Sequence, residues 1–393
     1  MDNIYITVAP SGLDRAADYI CSGRNDEIVI GQAVEACAKQ GRRLMLYTGC
    51  YYIDSFHDFG DGGPLAAICI PRNGTEVRIE GETFSYNNKT GVRLYVSEEA
   101  LNTVTEEQVD VIRTEWCDRG IGSGSTVRIE NISVGLSNNR HPVRCIDLRR
   151  CDRPELKNVR LVSYVDMKAG LGNPPPVANM GCIGLTMTDG SNHGFSSYEN
   201  VSASGFYEGI QVGGEHVVLN NCATIMNFYG FTFGNYETHC GSNHPILLLN
   251  CCDERNVNLP LFGDCGDDDG EGGRLHGGQE VTMIAFNIER IAIQTPGGVL
   301  GDCMREIVPG RFCGRIEFTA QPAWCHTNEV AFRLWEEDGS GLGFRTQNMC
   351  HRAVCKTEER LSYYPSLGQE VFDTDLGYKL ICIDPVNKKW ERV

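Results

Sequence analysis

The sequence predicts an all-β protein: a right-handed parallel β-helix with a capping α-helix at its N-terminal end and a β-rich C-terminal module. Glycine is abundant, at 45 of 393 residues, and has no collagen period, which indicates many turns between short strands. Asn followed by an apolar residue recurs inside strand-like stretches. The helical period of apolar residues disappears from about residue 65, where short strands begin to recur.

The N-terminal segment has the pattern of one amphipathic helix followed by sheet. A helix is predicted over Asp26–Gln40, with Asp26 as its cap and Gly41 as its terminating residue. Its apolar positions follow the helical spacing i, i+4, i+7: Ile30, Val34 and Cys37. Two short strands around a turn follow within residues 42–53. Residues 1–54 are therefore predicted to form an N-terminal cap.

An irregular internal repeat follows the cap. Asn recurs before an apolar residue or cysteine at spacings of 27, 42, 21, 29 and 37 residues, at Asn131, Asn158, Asn200, Asn221, Asn250 and Asn287. A propeller or a leucine-rich repeat has a fixed period, so this irregularity argues against both. Short strands interrupted by loops of variable length fit the spacing better.

A second set of strand-like segments keeps the phase of the first. These segments start near Gly205, Asn227 and Asn256, each five or six residues after a repeat asparagine. A strand, a turn at Asn, a strand and a variable loop describe one rung of a parallel β-helix. The coil is predicted over residues 55–300, with its asparagine side chains stacked along the axis. The alternative is an antiparallel β-sandwich in which the asparagine spacing is coincidental.

The C-terminal region, residues 301–393, has a different composition. The asparagine marker stops after Asn287, and aromatic residues alternate with glycine and charged residues. A smaller β-rich module is predicted, either packed on the last rung or mediating oligomerisation.

The charge balance argues against two classes of partner. The chain has 35 Lys and Arg against 52 Asp and Glu, a net charge of −17. Nucleic acids and anionic membranes both require a basic surface, so neither is an expected partner. The sequence has no run of 18 apolar residues, and its first residues lack the pattern of a signal peptide. A cytoplasmic location is therefore the first expectation.

The cysteines are predicted to be reduced. Their number, 19, is odd, and the chain is too long to need disulfides for a core. The spacing lacks the paired knuckles of a zinc site. Most thiols are therefore expected to pack in the interior as small apolar side chains.

Two segments resemble a known family. Residues 17–30, with an acidic Asn25-Asp26 before the helix, and residues 47–53, with a Gly-x-Tyr turn, resemble the opening of the pectate-lyase-like superfamily. The version here is most similar to tailspike-like proteins of phages and prophages of Gram-positive bacteria. Residues 368–377 resemble a short terminal module of phage structural proteins. The resemblance implies a coil that binds or cleaves polysaccharides, a homotrimer, and a place in a phage virion as an alternative to the cytoplasm.

The central rungs carry acidic residues in phase with the repeat. Equivalent positions on successive rungs are about 4.8 Å apart, and a pair of carboxyl groups is what a glycoside hydrolase needs. The sequence therefore predicts such an enzyme without a cofactor. The candidate catalytic residues are Glu208, Glu237, Asp253, Glu254 and Asp264. Asp253 and Glu254 have an alternative interpretation, a structural ion pair with Arg255.

Aromatic and basic residues near these acids are the candidates for substrate binding. Tyrosine rings stack on sugars, and His or Arg binds hydroxyl groups or the ionised carboxylate. The candidates are Tyr207, Tyr229, Tyr236, His239 and Arg255. Two other functions stay open: a non-catalytic glycan-binding or structural spike, and a polysaccharide lyase.

No metal site is predicted. Asp267, Asp268 and Asp269 lie in a glycine-rich segment, and this pattern is typical of a solvated turn, with a calcium loop as the alternative. The spacing of His216, His239 and His244 is too irregular for a metal site.

Overall fold

A computed structural model describes most of the chain up to Asn256 and parts of the remainder. The described residues are 4–72, 76–85, 90–105, 107–116, 126–163, 178–187, 195–214, 216–233, 246–254, 256, 261–262, 267–268, 274–275, 281–284, 286–289, 353–362, 370–384, 387 and 389–393. They belong to two compact units, a large N-terminal one and a small one that includes the C-terminus. No helix among them is long and apolar enough to cross a bilayer.

The elements are mostly short strands. Those up to residue 163 are β1 (Tyr5–Ala9), β2 (Tyr19–Ile20), α1 (Asp26–Gln40), β3 (Arg43–Leu46), β4 (Gly49–Ile53), β5 (Ala66–Ile70), β6 (Val77–Gly81), β7 (Val92–Val96), α2 (Glu98–Asn102), β8 (Val109–Thr114), β9 (Thr126–Leu136), β10 (Val143–Asp147) and β11 (Arg153–Ser163). Those that follow are β12 (Ile183–Thr186), β13 (Ser196–Ser204), β14 (Glu208–Val212), β15 (Val217–Asn220), β16 (Ala223–Ile225), β17 (Tyr229–Phe233), β18 (Ile246–Leu249), β19 (Cys252–Glu254), β20 (Leu261–Phe262), β21 (Asp267–Asp268), β22 (Arg274–Leu275), β23 (Val281–Ile284), β24 (Asn287–Glu289), β25 (Ala353–Cys355), α3 (Thr357–Ser362), β26 (Glu370–Asp373), β27 (Tyr378–Asp384) and β28 (Lys389–Arg392).

Two long sheets form the N-terminal unit, and their strands are parallel throughout. The first sheet has 15 strands, with the spine β2-β1-β3-β6-β9-β11-β13-β15-β18-β23. The second has seven, in the order β5-β8-β10-β12-β14-β17-β20. From β8 to β20 the chain passes back and forth between the two sheets, and each pass adds one or two strands beside those of the previous pass. The predicted parallel β-helix is confirmed, and its first sheet begins within the predicted cap, at β1.

Helix α1 is confirmed over the predicted residues, but the role of Asp26 differs from the prediction. Asn25 occupies the N-cap position, and Asp26 is the first helical residue. The Asp26 carboxylate accepts hydrogen bonds from the backbone N–H groups of Gly23 and Tyr52, each at 2.9 Å. It therefore ties the start of the helix to β4. At the other end, Gly41 has φ 63° and its N–H donates to the Cys37 carbonyl, as predicted for a terminating glycine.

The interior of the coil is apolar and contains most of the described thiols. Alternate side chains of the strands point inward, as in β6, where Val77 and Ile79 are 1% and 2% exposed. Eleven cysteines have described side chains; none of them forms a disulfide within the described part of the chain, and nine are buried. This agrees with the prediction that most cysteines pack as small apolar residues.

An asparagine ladder runs along the first sheet. Asn158 Nδ2 donates to Asn131 Oδ1 at 2.8 Å, and Asn200 Nδ2 donates to Asn158 Oδ1 at 2.7 Å. Asn250 Nδ2 donates to Asn221 Oδ1 at 2.6 Å. All five have φ between 52° and 58°, in the left-handed region that Asn tolerates better than most residues. The five-residue ladder confirms the predicted repeat.

The sixth predicted member, Asn287, does not belong to the ladder. Strand β24 aligns Asn287 with Cys252, two residues beyond Asn250. The prediction was wrong at this position because the register is set by backbone pairing. Leu249 pairs with Ile284 in the preceding strands, so Asn250 comes one residue after this pair and Asn287 three residues after it.

Two substitutions of one ladder residue separate the contribution of its side-chain amide to stability from that of its left-handed backbone conformation. We expect Asn158→Ala to lower the free energy of unfolding by about 3 kcal/mol, from two lost hydrogen bonds and a strained left-handed backbone. Asn158→Gly also loses the hydrogen bonds, but glycine adopts the left-handed conformation without strain. Its loss in free energy of unfolding should therefore be about 1 kcal/mol smaller than that of Asn158→Ala. Urea unfolding of both variants measures the difference. Equal stability of Asn158→Ala and the wild type would contradict a stabilising ladder.

The C-terminal unit is a separate small sheet. Strands β26, β27 and β28 pair antiparallel, and β25 joins β26 in parallel. Asp373 is buried and accepts hydrogen bonds from Arg360 Nε at 2.9 Å and from Thr357 Oγ1. This ion pair fixes α3 to the sheet. The β-rich character predicted for the C-terminal module is confirmed for the described residues within 353–362 and 370–393.

Candidate functional site

Five strands of the second sheet share a four-residue pattern whose first and fourth positions are mostly polar. Strand pairing places these positions in two columns. The first column is Asp110, Arg144, Ile183, Glu208 and Tyr229. The second column is Arg113, Asp147, Thr186, Gln211 and Thr232. Charge is concentrated in β8 and β10, where the sign at the two positions is reversed between neighbouring strands.

Both columns face away from the interior of the coil. A Cβ placed on Gly230, at the second position of β17, would meet Asp253 and Thr224 of the first sheet. The second position therefore points inward, and the first position points outward. Regular alternation would put residues three apart on opposite faces, but the register of β8 and β10 skips the second position. Arg144 at a first position bonds Asp147 at a fourth position, and Thr232 at a fourth position bonds Glu208 at a first, so the two columns share the outer face.

The centre of this face is an acid–base cluster of Asp110, Arg144 and Asp147. Arg144 Nη1 lies 2.5 Å from Asp147 Oδ2 and 3.8 Å from Asp110 Oδ1. These two distances limit the separation of Asp147 Oδ2 and Asp110 Oδ1 to about 6 Å at most, which is compatible with the spacing of about 5–5.5 Å in retaining glycosidases. All three side chains are less than 5% exposed.

The environments of the two carboxyl groups move their pKa values in opposite directions. Burial raises the pKa of Asp110 to about 7; the charge of Asp147 adds to the rise, and Arg144 opposes it. Neither oxygen of Asp110 has a hydrogen-bond partner in the described part of the chain. Burial also opposes ionisation of Asp147, but Arg144, Arg149 and their hydrogen bonds outweigh it and hold its pKa well below the ordinary range. Asp110 is thus the acid that retains a proton, and Asp147 is ionised.

Arg149 and Arg113 extend the cluster. Arg149 Nη2 donates to Asp147 Oδ2 at 2.7 Å, and its guanidinium lies 4.9 Å from the ring centroid of Trp116. Arg113 bonds both oxygens of Asp61 at 2.5 and 2.8 Å and donates to the Pro64 carbonyl. The loop that carries Asp61 and Pro64 is therefore held against this face.

Hydrogen bonds continue the polar face along later strands. Thr186 Oγ1 donates to Gln211 Oε1 at 2.6 Å. Thr232 Oγ1 donates to Glu208 Oε2 at 2.7 Å. Each bond joins neighbouring rungs, so side-chain hydrogen bonds connect the polar face from β12 to β17.

Three residues predicted from the sequence lie together on or beside this face. Glu208 occupies the first column, two strands beyond Arg144, and is 1% exposed. Tyr229 is its neighbour in the next strand. Tyr207, just before β14, contacts the Tyr229 ring edge-on, with centroids 5.8 Å apart, and stacks on Phe228 at 4.8 Å with an interplanar angle of 12°. Tyr207 and Tyr229 are only partly buried, so the aromatic cluster has a solvent-accessible side.

Two other predicted acids lie on the first sheet. Asp253, in β19, is completely buried and accepts hydrogen bonds from Asn256 Nδ2 and Thr224 Oγ1 inside the coil. Glu254, the next residue, is partly exposed, and its backbone carbonyl accepts a hydrogen bond from Met226 N–H. Strand alternation separates the two side chains, and neither lies on the outer face that contains Glu208.

The remaining predicted site residues lie outside the described part of the chain. They are Glu237, Asp264, Tyr236, His239 and Arg255. Of the acidic run, Asp269 is also outside it, whereas Asp267 and Asp268 form β21, paired antiparallel with β22. The described residues contain no cluster of three or more His, Cys, Asp or Glu side chains arranged for a metal ion.

Sequence reasoning missed the residues at the centre of the face. Asp110, Arg113, Arg144 and Asp147 lie in apolar strands, Val-Asp-Val-Ile-Arg and Val-Arg-Cys-Ile-Asp. The signal in these two strands is a pair of opposite charges three residues apart, in reversed order between the strands. The later segments keep the same four-residue spacing without the charge pair: Ile-Gly-Leu-Thr, Glu-Gly-Ile-Gln and Tyr-Gly-Phe-Thr, in β12, β14 and β17.

Comparisons with known proteins give little information about this chain. No protein-family model matches it, and no curated protein matches it. Among solved structures it is similar to ORF18 of Geobacillus virus E2, at 9% sequence identity and a TM-score of 0.30, with 94% of this chain and 84% of that chain covered. A similarity of this size carries no argument about fold or function.

Proposed function

We propose that this protein is a glycoside hydrolase whose acid–base pair is Asp110 and Asp147. The observation that carries the proposal is the opposite displacement of their pKa values around one shared guanidinium. A glycosidase needs one carboxyl group that retains its proton and a second that is ionised. The polysaccharide substrate follows from the parallel β-helix and from the sequence resemblance to tailspike-like proteins, in which such coils act on glycans.

Each residue then has a defined task. Asp110 donates its proton to the leaving glycosidic oxygen, and Asp147 acts as the base or nucleophile on the opposite side of the sugar ring. Arg144 is a positioning residue, because it contacts both carboxyl groups and holds Asp147 ionised. Tyr207 and Tyr229 stack on sugar rings further along the face. Glu208, on the same face, binds substrate hydroxyl groups or takes one of the two catalytic roles.

A second candidate is a glycan-binding spike without catalysis. Its specific support is the difference in exposure between the two parts of the face. The carboxyl groups of Asp110 and Asp147 are buried, whereas Tyr207, Phe228 and Tyr229 form a partly exposed aromatic cluster. A binder would use the aromatic cluster alone, and the charged cluster would then only stabilise the coil.

A reducing-sugar assay on a panel of bacterial polysaccharides distinguishes the two functions. We expect the wild type to release reducing ends from at least one glycan and Asp110→Asn to lose about a hundredfold or more of that activity. Glu199→Gln is the matched control, because Glu199 is an exposed acid on the first sheet that pairs with Lys157. It should keep full activity.

Two outcomes would contradict the hydrolase. A wild type that binds a glycan without releasing ends, and loses binding on Tyr207→Ala, would be the spike. An Asp110→Asn variant with near-normal turnover would place the acid elsewhere. Unsaturated sugar products would indicate a lyase instead. Because lyase products also carry reducing ends, the ultraviolet absorbance of the products is measured in parallel with the reducing-sugar assay.

A further inference from the structure

A second group of chemically active side chains lies at the junction between α1 and the segment after β4. Ser55 Oγ donates to Glu27 Oε1 at 2.5 Å and lies 3.1 Å from His57 Nε2. His57 Nε2 is 3.7 Å from the same Glu27 oxygen. A hydroxyl group, an imidazole and a carboxylate are therefore within reach of one another, which is the general signature of an activated nucleophile.

The surrounding structure holds the three groups firmly. Glu27 is buried in the first turn of α1, and its second oxygen accepts the backbone N–H of Asp54 at 3.1 Å. His57 exchanges two backbone hydrogen bonds with Ala66, at 2.8 and 3.0 Å. The Glu27 carboxylate thus has a fixed position, and His57 lies at the base of the loop that its backbone hydrogen bonds with Ala66 close.

The same place has an open side and backbone donors. Ser55 and His57 are partly exposed, and Phe59, whose ring contacts the His57 ring edge-on at 6.5 Å, is 42% exposed. Within the described part of the chain, the backbone N–H groups of Ser55 and Phe56 make no hydrogen bond. N–H groups of a nucleophile and of the residue after it are donors that acyl-transfer enzymes use for an oxyanion.

We propose that Ser55 is the nucleophile of a second active site that hydrolyses short O-acyl esters, with His57 as the general base. The Ser55 hydroxyl proton turns from Glu27 Oε1 to His57 Nε2, Ser55 Oγ attacks the acyl carbon while this proton passes to His57 Nε2, and Glu27 stabilises the resulting imidazolium. The ester C–O bond breaks, and the departing alcohol takes the proton from His57. Water then attacks the acyl-enzyme, which releases the carboxylic acid and restores the Ser55 hydroxyl.

The arrangement differs from the serine-protease triad in one respect. There the carboxylate bonds the imidazole nitrogen remote from the serine, whereas here Glu27 lies beside Nε2, the nitrogen that meets Ser55. Glu27 can therefore accept the Ser55 proton directly or stabilise the imidazolium, and both routes activate the same oxygen. The proposed ester hydrolysis does not use Asp110 or Asp147, because these residues lie in β8 and β10, whereas Ser55, His57 and Glu27 lie after β4 and in α1.

The test uses p-nitrophenyl acetate and a fluorophosphonate probe on the full chain. We expect the wild type to hydrolyse the ester and to carry the probe on Ser55, as located by peptide mass spectrometry. Ser55→Ala should abolish labelling at this peptide and lower kcat/KM for the ester at least a hundredfold, and His57→Gln should lower it by a similar factor. Ser22→Ala, which removes an exposed hydroxyl that donates to the Arg24 carbonyl and accepts from the Arg24 N–H, should leave both unchanged.

Thermal unfolding monitored by circular dichroism accompanies each variant. A folded Ser55→Ala protein that still hydrolyses the ester, or that is still labelled to the wild-type extent, would overturn the proposal. So would a wild type that neither hydrolyses the ester nor reacts with the probe, since the three side chains would then only join α1 to β4. Asp110→Asn should retain the ester activity, which separates this site from the proposed glycosidase.

Discussion

The Asp110→Asn variant should be more stable than the wild type at pH 8, by roughly 4 kcal/mol at most, and equally stable at pH 4. Burial raises the pKa of Asp110 from an ordinary 3.8 to about 7. Asparagine has the shape of the protonated carboxyl group and cannot ionise. The variant therefore avoids the buried, incompletely compensated charge that the wild type carries above pH 7.

The direction follows from proton binding. Between about pH 4 and pH 7 the folded wild type keeps a proton on Asp110 that the unfolded chain has released. Unfolding releases this proton, so the contribution of Asp110 to the free energy of unfolding falls as pH rises through this range, and levels off above pH 7. Urea unfolding at one-unit steps from pH 4 to pH 8 should show that Asp110→Asn lacks this slope.

Asp147→Asn is the matched comparison and should have the opposite effect. The pKa of Asp147 is held below its ordinary value, so its ionisation stabilises the fold above about pH 4, and that contribution is lost as pH falls further. At pH 8 the variant leaves Arg144 without its close partner in a buried site, which should cost about 3–5 kcal/mol. If Asp110→Asn were destabilised at pH 8 to the same extent, the two acids would not have the different protonation states that the hydrolase requires.

The asparagine ladder shows why the fold was predictable. Asn131, Asn158 and Asn200 each occupy a left-handed backbone position inside a strand of the first sheet, in β9, β11 and β13, where few other residues are tolerated. Because of this local requirement, asparagine recurs in the sequence at successive rungs. Asn287 carries the same local pattern but is two residues out of register. Pairing with the preceding strand decides the register, and a single sequence does not contain that pairing.

The candidate site was less predictable because its residues come together only through contacts between rungs. Asp110 and Arg144 are 34 residues apart in the sequence and become neighbours only when β8 pairs with β10. In isolation, each is a single charge in an apolar strand. The acidic residues of the central loops were more conspicuous, but conspicuous acids on loops are usually solvated. Glu208 was predicted because a glycine-containing turn and aromatic residues accompany it, and these are local features.

An equally large loss of stability is expected for Arg113→Ala. Arg113 is 1% exposed and forms a two-pronged ion pair with Asp61, which is 8% exposed, and it also donates to the carbonyl groups of Pro64 and Thr114. Its removal leaves a buried carboxylate without its cation, so the free energy of unfolding at pH 7 should fall by about 3–5 kcal/mol. Burial opposes ionisation of Asp61, and Arg113 is the main opposing influence that lowers its pKa, so the loss should be smaller in acid, where Asp61 is protonated.

Two further variants show that the unpaired charge, and not the lost volume, causes this loss. Arg113→Met with Asp61→Leu removes both charges and keeps apolar bulk, so the double variant should recover most of the stability that Arg113→Ala loses. Lys157→Ala removes the exposed pair with Glu199 and should cost less than about 1 kcal/mol. Urea unfolding at pH 7 measures all three. A double variant as unstable as Arg113→Ala would mean that Arg113 and Asp61 stabilise the coil through their hydrogen bonds to the backbone, because those are the contacts that neither apolar replacement restores.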